Sequence, residues 1–228
     1  MMRHVIMFLL LFSYLQGDGW ELAKERDGIA VYTRKVEGSP FLAFKGETVV
    51  EGSVDALVAI LYDIPAAPSW LHQCRFAMTL EEVRFEENYV FHIYDLPFPV
   101  SNRQLILHST LSSTGRGVRL DMHEANTLCD ERPNDRCKKV EASDLIRIKR
   151  SRGYYLFTPL DEKRTKVIWQ QHIEPGGSIP GWLANVLVVD VPYISLSNLR
   201  ELVKKDKYRS MTIEKLQGLW QKQNETFH

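Results

Sequence analysis

The sequence predicts an α+β domain, a curved antiparallel sheet folded around one long C-terminal helix, and three observations carry that prediction. From Cys74 to Pro175, short strand-like segments follow one another with polar turns between them. Near the end, Trp182 to Val191 is apolar nearly all round, the pattern of a helix covered on both sides. No period of roughly 20–50 residues recurs, which excludes repeat architectures. A sheet of this kind must bury one face, and the apolar helix is its cover. A curved antiparallel sheet folded around one helix can leave a cavity between them.

The elements follow in order. Met1 to His4 form a short basic start, Val5 to Leu15 an apolar run, and Gln16 to Gly19 a small or polar end. That order is the pattern of a secretory signal peptide over residues 1–19. Eleven residues cover roughly 16 Å of helix against the ~30 Å of a bilayer core, which argues against a permanent span. A buried N-terminal helix or an uncleaved anchor is the competing reading. Trp20 to Asp27 reads as a polar lead-in with one helical turn. Two strands follow, Gly28 to Arg34 and Phe41 to Val50, separated by a turn containing Gly38-Ser-Pro40. Ser53 offers an N-cap to a helix whose apolar positions Val54, Leu57, Val58 and Leu61 are spaced three and four apart, and Pro65 stops it.

The meander then places strands over Asn88 to Leu96, Asn102 to Leu111, Val118 to Ala125, Ser143 to Lys149, Gly153 to Leu160 and Lys166 to Glu174. Pro175 to Gly181 breaks the sheet, with Ser178 as a cap and Pro180 in the first helical turn. Pro192 predicts a kink in the long helix. The domain is expected over residues 20–205. Residues 206–228 form a polar tail, in which Ile213, Leu216, Leu219 and Trp220 suggest a short helix, packed or facing a partner.

Lys+Arg and Asp+Glu balance at 29 each, so no global field attracts nucleic acid. Three cysteines follow the apolar run. Cys129 and Cys137 bracket a polar, turn-prone stretch and are disulfide candidates in an oxidising compartment. Seven intervening residues without a His pair argue against zinc. Cys74 reads as a small buried hydrophobe. No Gly-x-Ser-x-Gly, phosphate-cradling Gly loop or His-Glu-x-x-His is present.

Four motifs, in order, resemble the START (StAR-related lipid transfer) family across roughly Trp20 to Lys205. Asp27-Gly-Ile-Ala-Val-Tyr-Thr-Arg34 is similar to its first strand. Trp70 with Cys74 resembles a pair often found there. Leu96-Pro-Phe-Pro-Val-Ser-Asn-Arg103 resembles its Pro-x-Pro-x-Ser-Asn-Arg-Asp stretch. Ile173 to Asn185 is like the approach to its C-terminal lid helix. The resemblance implies a helix-grip fold with an internal hydrophobic tunnel that holds one lipid. It also implies shuttling between membranes, with the C-terminal helix opening. Gly176-Gly177 and Pro192 stand where hinges would be.

Site expectations follow. Arg103 matches the motif arginine, yet Gln104 replaces the usual acidic neighbour, so Arg103 reads as a structural anchor or as a ligand contact. Several family members carry a second lipid-reaching arginine where this chain has Ser109, which makes a buried phosphate clamp doubtful. Asn102 and Gln104 lie on one strand face and Arg103 on the other. His92 and Tyr94 share a face and are the first candidates for polar lining. His108, His123 and His172 also fall on strands, as ligand contacts or as satisfied strand residues. On the apolar helix Leu183 and Leu187 are expected to line the tunnel. Asn185 matches a family position there. Asp190 faces solvent, caps around Pro192 or touches a head group.

These readings together describe a monomeric, periplasmic or otherwise secreted carrier of one lipid that touches membranes transiently. It is expected to need no cofactor or metal. A helix-grip enzyme working through Asp190 or a tunnel histidine, and a lipid-sensing adaptor docking through the tail, are the alternatives.

Overall fold

A computed structural model describes residues 19–141 and 145–225. The run read as a signal peptide lies almost wholly outside the described residues, as do the first two residues, 143 and 144, of the predicted Ser143–Lys149 strand. Ten strands form one sheet: β1 (Glu21–Arg26), β2 (Ile29–Arg34), β3 (Ala43–Val50), β4 (Cys74–Arg84), β5 (Glu87–Tyr94), β6 (Arg103–Ser113), β7 (Val118–Glu124), β8 (Ile146–Arg147), β9 (Arg150–Pro159) and β10 (Thr165–Glu174). Their spatial order is β1-β2-β3-β10-β9-β7-β6-β5-β4, antiparallel throughout, with the two-residue β8 pairing parallel to β6. This is the helix-grip architecture expected.

The predicted helical turn at Trp20–Asp27 is instead the edge strand β1, paired with β2. Asp27 and Gly28 both have positive φ, 54° and 73°, and close the hairpin. Left-handed geometry at both central positions is what a tight two-residue hairpin needs, and Asp-Gly supplies it. Backbone pairing along the free edge of β2 outweighs a weak local helix preference.

Helix α1 (Val54–Tyr62) begins at Ser53, whose Oγ accepts from Ala56 N at 3.2 Å. It buries Leu57, Val58 and Ile60 completely. Each such side chain contributes about 1.5–3 kcal/mol through burial. A 3-10 turn, Ile64–Ser69, carries Pro65 and Pro68. Between β7 and β8 lie α2 (Leu128–Glu131) and α3 (Cys137–Glu141), which cover the outer face of β4–β6. Cys129 and Cys137 are disulfide-bonded, with Cα atoms 5.6 Å apart.

Helix α4 (Gly181–Leu202) runs without interruption through Pro192. Pro180, not Ser178, occupies its N-cap, and no side chain caps it. Its C-terminal half is core: Ser195, Leu196, Leu199 and Leu202 are buried. The sheet approaches so closely there that a Cβ on Gly46 of β3 would lie 2.7 Å from Leu196 Cδ1. The N-terminal half is not covered on both sides as predicted. Trp182 is 62% and Val186 45% exposed, because the sheet reaches only one side of the helix.

The tail packs rather than projects. In α5 (Asp206–Arg209) Lys207 and Tyr208 both donate to Asp63 Oδ2. In α6 (Ile213–Glu225) Ile213, Leu216 and Trp220 pack against the main core, and Ile213 N donates to Asp55 Oδ2 at 3.3 Å.

Candidate functional site

Strand alternation sends Val90, His92 and Tyr94 of β5, and Arg103, Leu105, Leu107 and Ser109 of β6, to the concave face. Tyr94 stands opposite Arg103 and His92 opposite Leu105. Between this face and the helices are two adjoining cavities. The outer one, of about 140 Å³, lies under the N-terminal half of α4 and is walled by Phe41, Phe44, Ile173, Leu187, Val188 and Val191 among others. The inner one, of about 60 Å³, lies beneath α1 and is lined by Tyr62, Trp70, Asn88, His92, Ser109 and Tyr155 among others. Leu71, Tyr94, Trp169 and Gln171 border both.

The partition between the cavities is aromatic and hydrogen-bonded. Trp169 stacks on Tyr155 at 5.1 Å and meets Phe44 edge-on at 4.8 Å. Trp169 Nε1 donates to Gln171 Oε1 at 3.1 Å, and Gln171 Nε2 to Ser151 Oγ at 2.8 Å. His92 Nδ1 and the Tyr94 hydroxyl share a hydrogen bond of 2.9 Å.

Burial keeps these groups neutral. It pushes the His92 imidazole down to about 4 and raises the Tyr94 and Tyr155 phenols well above their ordinary value. The Cys74 thiol is pushed up to about 12 by the same cause, so it is no nucleophile at neutral pH. Asp63, at the margin of the inner cavity, is engaged by Lys207 and Tyr208.

Arg103 is 1% exposed and borders the outer cavity. Its Nε donates to Pro175 O and its Nη2 to Gly176 O, each at 2.9 Å, while Nη1 donates to Ser101 O. The guanidinium therefore ties the β5–β6 loop to the segment leading into α4. Its partners are carbonyls, not a carboxylate. Gly176 and Gly177 have φ of 66° and 59°, a left-handed pair that only glycine adopts without strain.

The cavities bring together His92, Tyr94, Ser109, Arg103, Asn185 and Leu187. Three expected positions fall elsewhere. Asn102 borders neither cavity: its Oδ1 accepts from Leu96 N at 3.0 Å and its Nδ2 donates to Asp95 Oδ1 at 2.8 Å. Leu183 is buried but borders neither. Asp190 turns outward to Lys24 Nζ of β1 at 3.0 Å, because its position on α4 faces the sheet edge. His108 pairs with Glu87 and His123, and His172 with Ser39, all away from the cavities. Among the described residues no group of three His, Cys, Asp or Glu side chains is placed to hold a metal. Sequence reasoning did not single out Trp70 for a cavity role, nor Asn88, Tyr155, Trp169 or Gln171. The usable signal was alternation: Trp169, Gln171 and Ile173 occupy one face of one strand.

A curved sheet gripping a helix over a largely apolar, aromatic-walled cavity defines a helix-grip domain. The chain belongs to the START domain family, which matches residues 5–201. An uncharacterized Pseudomonas aeruginosa protein, PA1579, is 32% identical over 188 residues, covering 82% of this chain and 88% of that protein. Rat phosphatidylcholine transfer protein is 26% identical over 176 residues, covering 75% and 77%. The crystal structure of a STAR-related lipid transfer protein fragment from Xanthomonas axonopodis is 34% identical with a TM-score of 0.71, covering 82% of this chain and all of that one. Human STARD10 shares the fold at 18% identity and a TM-score of 0.68, covering 82% and 74%. The chain is thus a START domain related to lipid transfer proteins.

Proposed function

We propose that the protein is a non-enzymatic carrier that holds one lipid between sheet and α4 and moves it between membranes. The observation that carries this reading is the apolar cavity lying beneath a helix segment that is itself half uncovered. A dry apolar cavity of about 150 Å³ takes a benzene-sized guest, so a whole lipid requires the outer cavity to widen. The N-terminal half of α4 is the element positioned to yield, with Gly176-Gly177 at its base. Phe98, 96% exposed in the β5–β6 loop, and Trp182 and Val186 on α4 present apolar surface to a bilayer. Arg103 joins the two segments that carry them. The Cys129–Cys137 bridge and the apolar N-terminal run support action outside the cytoplasm, as a monomer in the periplasm or a secretory route.

Native mass spectrometry of the protein purified from its own host, followed by extraction of the bound material, tests the reading. The expected result is a one-to-one adduct with an intact lipid. A protein that is empty and also takes up nothing from mixed vesicles would overturn it. A bound product chemically altered from the supplied lipid would favour an enzyme.

A further inference from the structure

Three buried side-chain atoms of residues that line the inner cavity have no hydrogen-bond partner among the described residues: Trp70 Nε1, Asn88 Oδ1 and His92 Nε2. Trp70 is 5% and His92 7% exposed. Several neighbouring polar groups are already engaged: His92 Nδ1 meets the Tyr94 hydroxyl, Gln171 bridges Trp169 and Ser151, and the Tyr62 hydroxyl donates to Phe85 O, while Ser109, opposite Asn88, also lines the chamber. Leaving one buried polar group unpaired is costly, and three bordering one small chamber call for a common partner.

Their chemistry defines that partner. Trp70 Nε1–H is a donor and needs an acceptor, whereas Asn88 Oδ1 is an acceptor and needs a donor. His92 Nε2 presents an N–H or a lone pair, according to which way the bond to Tyr94 runs. A group that only accepts, such as a phosphodiester, a carboxylate or an ester carbonyl, leaves Asn88 Oδ1 unpaired. A quaternary ammonium neither donates nor accepts. A hydroxyl or a secondary amide does both. Charge points the same way, because among the described residues no Lys or Arg lines the inner cavity, and Asp63 at its margin is taken up by Lys207 and Tyr208. Arg103 stands at the outer cavity with three of its donors committed to carbonyls. An anion drawn into the inner chamber would be desolvated without compensation.

We infer that the inner chamber, lined by Trp70, Asn88 and His92, is a head-group site for an uncharged lipid bearing a hydroxyl or amide, with its hydrocarbon in the outer cavity. The inference rests on the carrier reading and narrows it. It also separates this protein from the ligand class in the name of its phosphatidylcholine-transferring relatives.

The test offers delipidated protein to phosphatidylcholine vesicles doped with equal small amounts of diacylglycerol, ceramide and phosphatidylglycerol, and identifies the lipid retained after gel filtration. The wild type is expected to retain diacylglycerol or ceramide over both phospholipids. Trp70→Phe, which removes the indole N–H, and the near-isosteric Asn88→Leu, which removes the side-chain amide, are expected to lower that retention roughly tenfold apiece. Thermal unfolding verifies that both variants are folded, with Trp70→Phe expected to melt somewhat below the wild type because phenyl fills less of the indole's core site. Retention of a phospholipid in preference, or neutral-lipid retention unchanged in both folded variants, as ordered water at these atoms would give, overturns the head-group site and leaves the carrier reading standing. Uptake of no lipid by the wild type overturns both.

Discussion

Replacing Arg103 by Met removes the three hydrogen bonds that join Ser101 to Pro175 and Gly176 while keeping an apolar stem in a site that is 1% exposed. A hydrogen bond from a charged donor is worth about 1.5–3 kcal/mol. Part of the loss is recovered because the guanidinium has no carboxylate partner and its own burial is costly; burial lowers its pKa for that reason. The net destabilisation expected is about 2–4 kcal/mol. For a chain of this size each kcal/mol moves the melting midpoint by roughly 2–4 °C, so Arg103→Met should melt about 5–15 °C below the wild type. Arg103→Lys should fall between, since one ammonium cannot reproduce the planar fork. Calorimetry supplies the midpoint, and amide exchange over residues 175–191 reports whether the base of α4 has loosened. A Met variant with the wild-type midpoint and unchanged exchange there would refute the idea that Arg103 anchors this junction.

Three further outcomes are expected. The folded-state pKa of His92 is about 4 against 6.5 for the free side chain, so its contribution is full above pH 6.5 and is lost as the pH falls toward 4. Between pH 7.5 and 4.5 the wild type should lose roughly 2–3 kcal/mol more than His92→Phe in urea titrations, and parallel curves would show that the imidazole is not held neutral. Opening the Cys129–Cys137 loop with paired serines should cost about 2–3 kcal/mol, read as a lower midpoint that added reductant does not change further. Trp220→Ala should cost about 2 kcal/mol, because the indole packs on the core through α6; an unchanged midpoint would mean that the tail adds nothing to the fold.

The long strands were legible because each carries a period-two pattern, and α1 because Ser53 precedes residues spaced three and four apart. The disulfide was legible because two cysteines flank a short polar loop. The edge strand β1 was not. Its residues are largely exposed and carry no alternation, although Asp27-Gly28 was a hairpin signal open to use. Helices α2 and α3, of four and five residues, are too short for a period to show. For the site, alternation placed His92 and Tyr94 on one face. The direction of Asp190 depends on how α4 is rotated against the sheet, which no local pattern encodes. Asn102 went to a loop bond because Leu96 N and Asp95 stand within its reach. The docking of α6 on α1 joins residues far apart in the chain, so its periodicity announced a helix without naming what it packs against.

Helix α4 is held very unequally along its length. From Tyr193 onward it is fastened by Tyr193 to Asp27, Ser195 to His72 N, Asn198 to Trp70 O and Arg200 to Asp27 O, and α5 and α6 close over α1 beyond it. The preceding turns rest on apolar contacts and the half-exposed Lys24–Asp190 pair. Such a rod is a cantilever, rooted where Pro192 and Leu196 meet Gly46 and loaded at Trp182. Deflection is greatest at the tip and vanishes at the root, so the mouth of the cavity would widen while the chamber beneath α1 keeps its shape. Guests would then be sorted by a fixed mould and admitted by a compliant gate.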